Sequence, residues 1–216
     1  MTRVQVDHVV VAARTLDDGV AWCEAMLGIV PGGGGTHPLM GTHNRLFSVA
    51  SDAFERAYFE IIAIDPAARP PGRARWFGLD GLDLSRGPRL VNIVARTPSL
   101  DDTLAALRDA GIDAGRALAA SRPTPNGLLQ WRIAVRDDGL VLHGGALPTL
   151  IEWGETHPAD AMPASGVTLQ ALTLRGVPQA VVAALDFQGV TVADGAGPAL
   201  TARLHTPRGP IDLSTD

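Results

Sequence analysis

AYFEIIAIDP, residues 57–66, is a run of β-branched and aromatic residues with one carboxylate, Glu60, set inside it. Nearly the same pattern returns at 149–158 as TLIEWGETHP, with Glu152 inside, and aligning the two acids also aligns Pro66 with Pro158. Both runs read as strands. An acid in an apolar strand is costly unless something pairs with it. Two such acids at matching places point to a shared purpose. For either acid alone the competing reading is an edge-strand carboxylate facing solvent.

Working outward, the chain organises itself around these two strands. VQVDHVVVAA at 4–13 predicts a strand carrying His8. The segment after it predicts a helix capped by Thr15 or Asp17 and stopped at Gly28. PGGGGTHPLMGTHN at 31–44 reads as a loop whose four glycines allow a flexible or closely approached backbone. No GK[ST] follows, so it is not a phosphate loop. His37, between Thr36 and Pro38, reads as a solvated loop histidine. RLFSVA at 45–50 is another strand. Pro70 and Pro71 open a linker, 67–89, in which Trp76, Phe77 and Leu79 are expected to form a short helix sealing one end of the fold.

The pattern then restarts. Setting Leu100, Asp101 and Asp102 on Leu16, Asp17 and Asp18 puts Asn92 on His8, and a later strand puts Gln130 on Asn44. Each half reads strand–helix–strand–strand–strand, with boundaries at 1–66 and 90–158. Repetition of order and spacing outweighs any single motif. A shorter third unit, 166–216, reads the same way, with Asp212 where the glutamates stood and no counterpart of His8. The fold class expected is α+β: paired βαβββ modules forming a cupped mixed sheet, with a third partial βαβββ unit at the C-terminus.

Composition narrows the function. Hydrophobic content of 46% and charged content of 19% fit an ordinary globular chain. A net charge of −5 and no basic cluster argue against a nucleic-acid partner. All 18 basic residues are Arg, which removes any Schiff-base or P-loop lysine. The single Cys23 lies near core positions of the first helix and reads as buried and inert; one cysteine fits a reducing cytoplasm. The N-terminus lacks the apolar segment of a signal peptide, and no run reaches membrane-spanning length, so no membrane partner is expected.

DHVVVAARTLDDGVAW, HPLMGTHNRLF, YFEIIAIDP, SRPTPNGLLQWRIAV and LIEW, in this order, resemble the glyoxalase-like domain proteins of the vicinal oxygen chelate superfamily. That superfamily includes glyoxalase I, extradiol dioxygenases and bleomycin-resistance proteins. The likeness covers 7–158, about two-thirds of the chain. It implies a metal in the cup, held from the first and last strands of each half at His8, Glu60, Asn92 and Glu152. Asn92 departs from the pattern, because an amide oxygen is a poor ligand for Zn²⁺, Fe²⁺, Mn²⁺ or Ni²⁺. The implied divalent-metal ligands are then His8, Glu60 and Glu152, with Glu60 or Glu152 as the catalytic base and the fourth position left to water or substrate. The competing arrangement is a metal-free cup in which His8 hydrogen-bonds a glutamate.

Other residues complete the expectation. His43, Asn44, Asn92, Arg122 and Gln130 are the residues expected to contact substrate; Asn44 and Gln130, amides on matched strands, are positioned to bind a ligand or to tie down a loop, and His43 precedes Asn44. Arg122, in a stiff Pro-rich loop, is either a clamp for a carboxylate or phosphate or a surface cation. Arg132 is structural or cup-lining. Trp153, next to Glu152, is expected to point at a helix. The activity expected is a metal-dependent enzyme on a small oxygenated molecule, of lyase, isomerase or dioxygenase type. The alternative is a non-catalytic protein that sequesters a small molecule in the same cup. A homodimer is left open.

Overall fold

In the computed structural model, which describes residues 3–125 and 127–215, the opening strands of the two halves pair with each other at the centre of one sheet. The first half runs β1 (Gln5–Ala12), α1 (Leu16–Leu27), β2 (Gly34–His37), β3 (Thr42–Ser48) and β4 (Tyr58–Ile64). The second runs β5 (Arg89–Arg96), α2 (Leu100–Asp109), β6 (Arg116–Thr124), β7 (Gly127–Val135) and β8 (Thr149–Trp153). The eight strands lie in the order β2-β3-β4-β1-β5-β8-β7-β6. β1 and β5 pair antiparallel, and each half closes by pairing its first and last strands in parallel. The order is thus the same read outward from the centre in either direction.

Local chemistry explains the elements. Thr15 caps α1 by accepting from the Asp18 N–H at 3.0 Å, and Gly28 ends the helix in the left-handed region at φ 75°. Ser99 caps α2 in the same way. β1, β4 and β5 are almost wholly buried because both faces of the sheet are covered. One face packs on α1 and α2 around Phe59, Ile61, Leu100 and Leu107. The other face is the concave one, where Val10, Ile62, Val94, Trp131 and Ile151 meet Trp76, Phe77 and Leu79 of the connector. The connector's one regular piece is a 3₁₀ turn, Trp76–Gly81, and Phe77 takes a left-handed φ of 58° with its ring buried.

The sheet curls until its two edges touch. β2 and β6 come into contact, with the Arg122 guanidinium against Gly35. A Cβ on Gly35 would collide with Arg122 Nη1, so any larger residue here would push the guanidinium from this position. Close backbone approach accounts for Gly34, whose Cβ would collide with the Asn44 carbonyl, and constrains Gly32 beside that of Leu46; the end of the stretch forms β2.

The C-terminal unit has the expected element order but its own pairing. β9 (Thr168–Arg175), α3 (Gln179–Leu185), β10 (Val190–Ala193), β11 (Leu200–Thr206) and β12 (Gly209–Ser214) form a separate sheet, β10-β9-β11-β12. In the two halves the last strand lies beside the first; here β11 separates β12 from β9. Its apolar face joins the helix-side core through Leu169, Leu172, Ala202 and Leu204. Asp212 does not mimic Glu60. It lies on the edge strand and pairs with Arg203 at 2.8 Å.

Candidate functional site

The polar centre of the concave face begins with an irregularity in β1. Val6 pairs with Ala95 and His8 with Val94, so Asp7 is an extra residue in the ladder. A bulge of this kind re-aims a side chain. Asp7 consequently reaches the same side as His8, and strand alternation alone would have separated them. Asp7 Oδ1 accepts from His8 Nδ1 at 2.7 Å. Asp7 Oδ2 accepts from Trp153 Nε1 and from His157 Nε2, both at 2.9 Å. His157 Nδ1 accepts the Ala159 N–H at 3.1 Å, so its Nε2 carries the proton given to Asp7.

His8 bridges Asp7 to Glu60. Its Nε2 lies 3.5 Å from Glu60 Oε2, and its ring stacks on Tyr58 at 4.5 Å. Glu60 Oε1 accepts from Asn44 Nδ2 at 2.6 Å. Asn44 also faces His37 Nε2 at 3.3 Å and accepts the Gly35 N–H at 2.9 Å. His37 Nδ1 contacts Thr42 Oγ1 at 3.0 Å. The amide of Asn44 therefore orients Glu60 and ties β2 to β3.

Burial sets the charges in this chain. For His8 burial disfavours the imidazolium, but hydrogen bonds and charges from Asp7 and Glu60 outweigh it and raise the pKa to about 9. Burial likewise works against ionisation of Asp7 and Glu60. The hydrogen bonds from His157 and His8 hold Asp7 well below the usual carboxylate range, and the hydrogen bond and charge of His8 lower the pKa of Glu60. Burial pushes the His37 pKa down to about 4, with Arg122 and His8 adding to the effect, so His37 is neutral. Burial also lifts the Tyr58 phenol well above its ordinary value.

Around these groups stand aromatic and aliphatic walls, including Trp76, Phe77, Trp131, Ile133, Ile151 and Trp153. The cavity they enclose is small, ≈ 40 Å³. Arg122 enters it from β6 with Nε and Nη1 buried and without hydrogen-bond partners among the described residues. Burial depresses its pKa somewhat. The cavity thus holds one carboxylate poised beside an imidazolium, and a guanidinium with unfilled donors.

Several expected residues lie elsewhere. Glu152 does not join His8 and Glu60. Its Oε2 accepts the Leu100 N–H at the start of α2 at 2.6 Å and lies 3.6 Å from Arg132 Nη1, on the helix side of the sheet. The reason is register. Val10 faces Glu60 and Val94 faces Thr149, so the structural counterpart of Glu60 is Thr149. Thr149 precedes Glu152 by three residues, and an odd offset reverses the face. Trp153 is accordingly in the cavity and not against a helix, and Arg132 is tied to Asp101 at 2.8 Å. Asn92 is fully buried, and its amide is committed to the backbone. Its Nδ2 donates to Gly145 and Leu147 carbonyls at 2.9 and 3.0 Å, and its Oδ1 accepts from Thr149 N at 3.2 Å. Gln130 is exposed on the outer face of β7. His43 points to the face of β3 opposite Asn44. Cys23 is buried, with its thiol pushed up to about 12.

The residues present do not fit the implied metal. Of the four positions, only His8 and Glu60 present donors to the cavity, one fewer than the three protein ligands of an open catalytic site. Among the described residues no group of three or more His, Cys, Asp or Glu is arranged to hold an ion.

Asp7, His37, Trp131, Trp153 and His157 belong to the cavity and its supports without having been singled out for it from sequence. One signal existed for the two histidines. The tripeptide Thr-His-Pro occurs at 36–38 and again at 156–158, and both of its histidines are buried.

The glyoxalase-like domain family model matches residues 6–188. The chain belongs to this family. Among solved structures, a hypothetical protein from Staphylococcus aureus matches 98% of this chain and 86% of its own at 13% identity, with a TM-score of 0.58. Methylmalonyl-CoA epimerase from Mycobacterium tuberculosis matches 72% of this chain and 91% of its own at 18% identity, with a TM-score of 0.41. A Streptomyces coelicolor epimerase variant in complex with 2-nitronate-propionyl-CoA matches 70% and 96% at 20% identity, with a TM-score of 0.43. No curated protein matches the sequence. Glu60, His8 and Arg122 converge in the cup between the paired modules.

Proposed function

We propose that this glyoxalase-like protein is an enzyme that binds a small oxygenated anion in the cup and moves a proton at Glu60. The observation that carries the reading is the pairing, in one aromatic-walled cavity, of a buried carboxylate with a guanidinium whose Nε and Nη1 donors are unfilled. Arg122 would receive a carboxylate or a developing enolate oxygen. Glu60 Oε2, the oxygen not held by Asn44, would take a proton from the carbon beside that group, and the electron pair would pass to the oxygen at Arg122. His8, held between two carboxylates, positions Glu60 and supplies a compensating charge. An anion arriving beside Glu60 raises its pKa and makes it a better base.

The metal-dependent form of this reading needs three convergent donors and has two. Its test is elemental analysis after reconstitution with Zn, Fe, Mn or Ni at neutral pH. Stoichiometric uptake by the wild type, lost in Glu60→Gln and His8→Gln, would restore it.

One observation favours the second reading, a sequestering protein: His8 holds the Glu60 pKa below its ordinary value, which weakens it as a base. Exchange in D₂O of the C2 proton of small 2-hydroxy and 2-methyl acids, or of the C3 protons beside the ketone of 2-oxo acids, followed by NMR, separates the two. Exchange by wild type that is lost in Glu60→Gln, with binding retained, supports the enzyme. Binding without exchange favours sequestration. If none of the acids binds, both readings fail.

A further inference from the structure

The cup is too small for anything but the small anionic head of a ligand, yet a groove of ≈ 980 Å³, within reach of the upper range of small-molecule sites, lies directly beside it. The two spaces share Leu46, Arg122, Leu129 and Pro158 as a common wall. We infer that this groove holds the hydrocarbon body of the cup's ligand, so that the substrate class is an amphipathic acid: a small oxygenated anionic head on an extended uncharged tail. The inference rests on the head-group reading above and extends it.

The chemistry of the groove supports that class. Val30, 64% exposed, lies along it with Ile29, Phe47, Met162 and Pro163. Among the described residues its charged side chains are Arg122 and Asp160. Arg122 stands at the junction with the cup, and Asp160 is paired with Arg56 at 2.6 Å. Apart from Arg122 at the junction, a body bearing phosphates would find no Arg or Lys among the described residues that line the groove. An apolar body would bury surface at no electrostatic cost.

The glycines supply an independent observation. A Cβ on Gly34 would collide with the Asn44 carbonyl oxygen, and one on Gly32 would lie 3.0 Å from that of Leu46. The fold itself asks for little or no side chain at these two places. Gly33, between them, has no such constraint: its Cβ would meet nothing within 4 Å, and its φ is not positive. A side chain there would project into open space beside the groove. Its absence keeps the groove clear.

The test is a homologous series of 2-hydroxy acids, from lactate to 2-hydroxydecanoate, titrated by calorimetry into wild type, Gly33→Phe, Val30→Asp and Arg122→Gln, each checked for folding by its melting curve. In wild type, affinity should rise about three- to four-fold per methylene over the first several carbons. Gly33→Phe should flatten the series while changing lactate affinity less than about two-fold. Val30→Asp, at an exposed position that tolerates polarity, should weaken the long acids selectively and confirms the groove should the Phe variant fail to fold. Arg122→Gln should weaken every member alike. A flat wild-type series with lactate still bound overturns the groove and leaves the head reading intact. A steep series that Gly33→Phe and Val30→Asp leave unchanged also overturns it. A steep series sensitive to both, yet indifferent to Arg122→Gln, keeps the groove and removes the head assignment. No binding at any length overturns both.

Discussion

The two halves carry the same bulge and use it differently. In the first, Asp7 is the extra residue in β1; in the second, Val91 is the extra residue in β5, one place before Asn92 just as Asp7 is one place before His8. The backbone irregularity is therefore a property of the duplicated frame. The acid is a property of one half. Asp7 gathers His8, His157 and Trp153 into a charged network, whereas Val91 joins the apolar lining. The polar strand residue after each bulge diverges as well: His8 faces a carboxylate, and Asn92 latches the chain before β8. Duplication built a symmetric cup, and side-chain chemistry made the site asymmetric. One half supplies Glu60 and His8; the other supplies indole walls and Arg122.

Giving Asp7 the residue of its counterpart is the strongest way to break this comparison. Asp7→Val strands three buried donors and should cost about 3–5 kcal/mol, the range for removing one partner of a buried charged pair. Urea unfolding at pH 7 measures it, and a loss under about 1 kcal/mol would mean that the network is not structural.

The next effect is one of pH. His8 has a folded-state pKa of about 9, above its ordinary 6.5. The stability it contributes is therefore fully present below about pH 6.5 and is lost as pH rises through 9. A loss on the order of 3 kcal/mol across that window follows from the size of the shift. His8→Gln should remove that part of the pH dependence. If melting curves of wild type and variant fall in parallel between pH 6.5 and 10, His8 is not the group responsible.

The smallest effect sharpens the comparison from the other side. Glu152→Gln keeps an acceptor for the Leu100 N–H and loses only a partly exposed ion pair with Arg132, so it should cost no more than about 1 kcal/mol. Ligand affinity in the cup should stay as in wild type. A ten-fold loss of affinity would place Glu152 back in the site.

Much of the frame was legible because it follows from local chemistry. Thr15 and Gly28 bound a helix through rules that need no tertiary knowledge, and the repeated strand order needed only spacing. His8, Glu60, Asn44 and Arg122 were also visible, as polar groups in apolar or stiff surroundings. What failed was the assignment of faces. β8 is a short apolar strand with no clean alternation, and nothing in TLIEW tells whether the acid or the indole looks inward. Asp7 was hidden for the converse reason: alternation sent it away from His8, and the bulge brought it back. His37 was misread from its neighbours, since Pro38 and the glycines suggested a solvated loop where a buried strand residue stands.

The connector that plugs the cup bears on how the molecule comes apart. Trp76 and Phe77 lie within one apolar cluster with Val10 and Ile62 of the first half and Val94, Trp131 and Ile151 of the second. Peeling one half from the other would uncover these rings at once, and pulling the connector away would uncover both halves. The intermediate in which one half stands alone is thus penalised from two directions. A segment that belongs to neither repeat sets its rings against both, which disfavours unfolding one after the other.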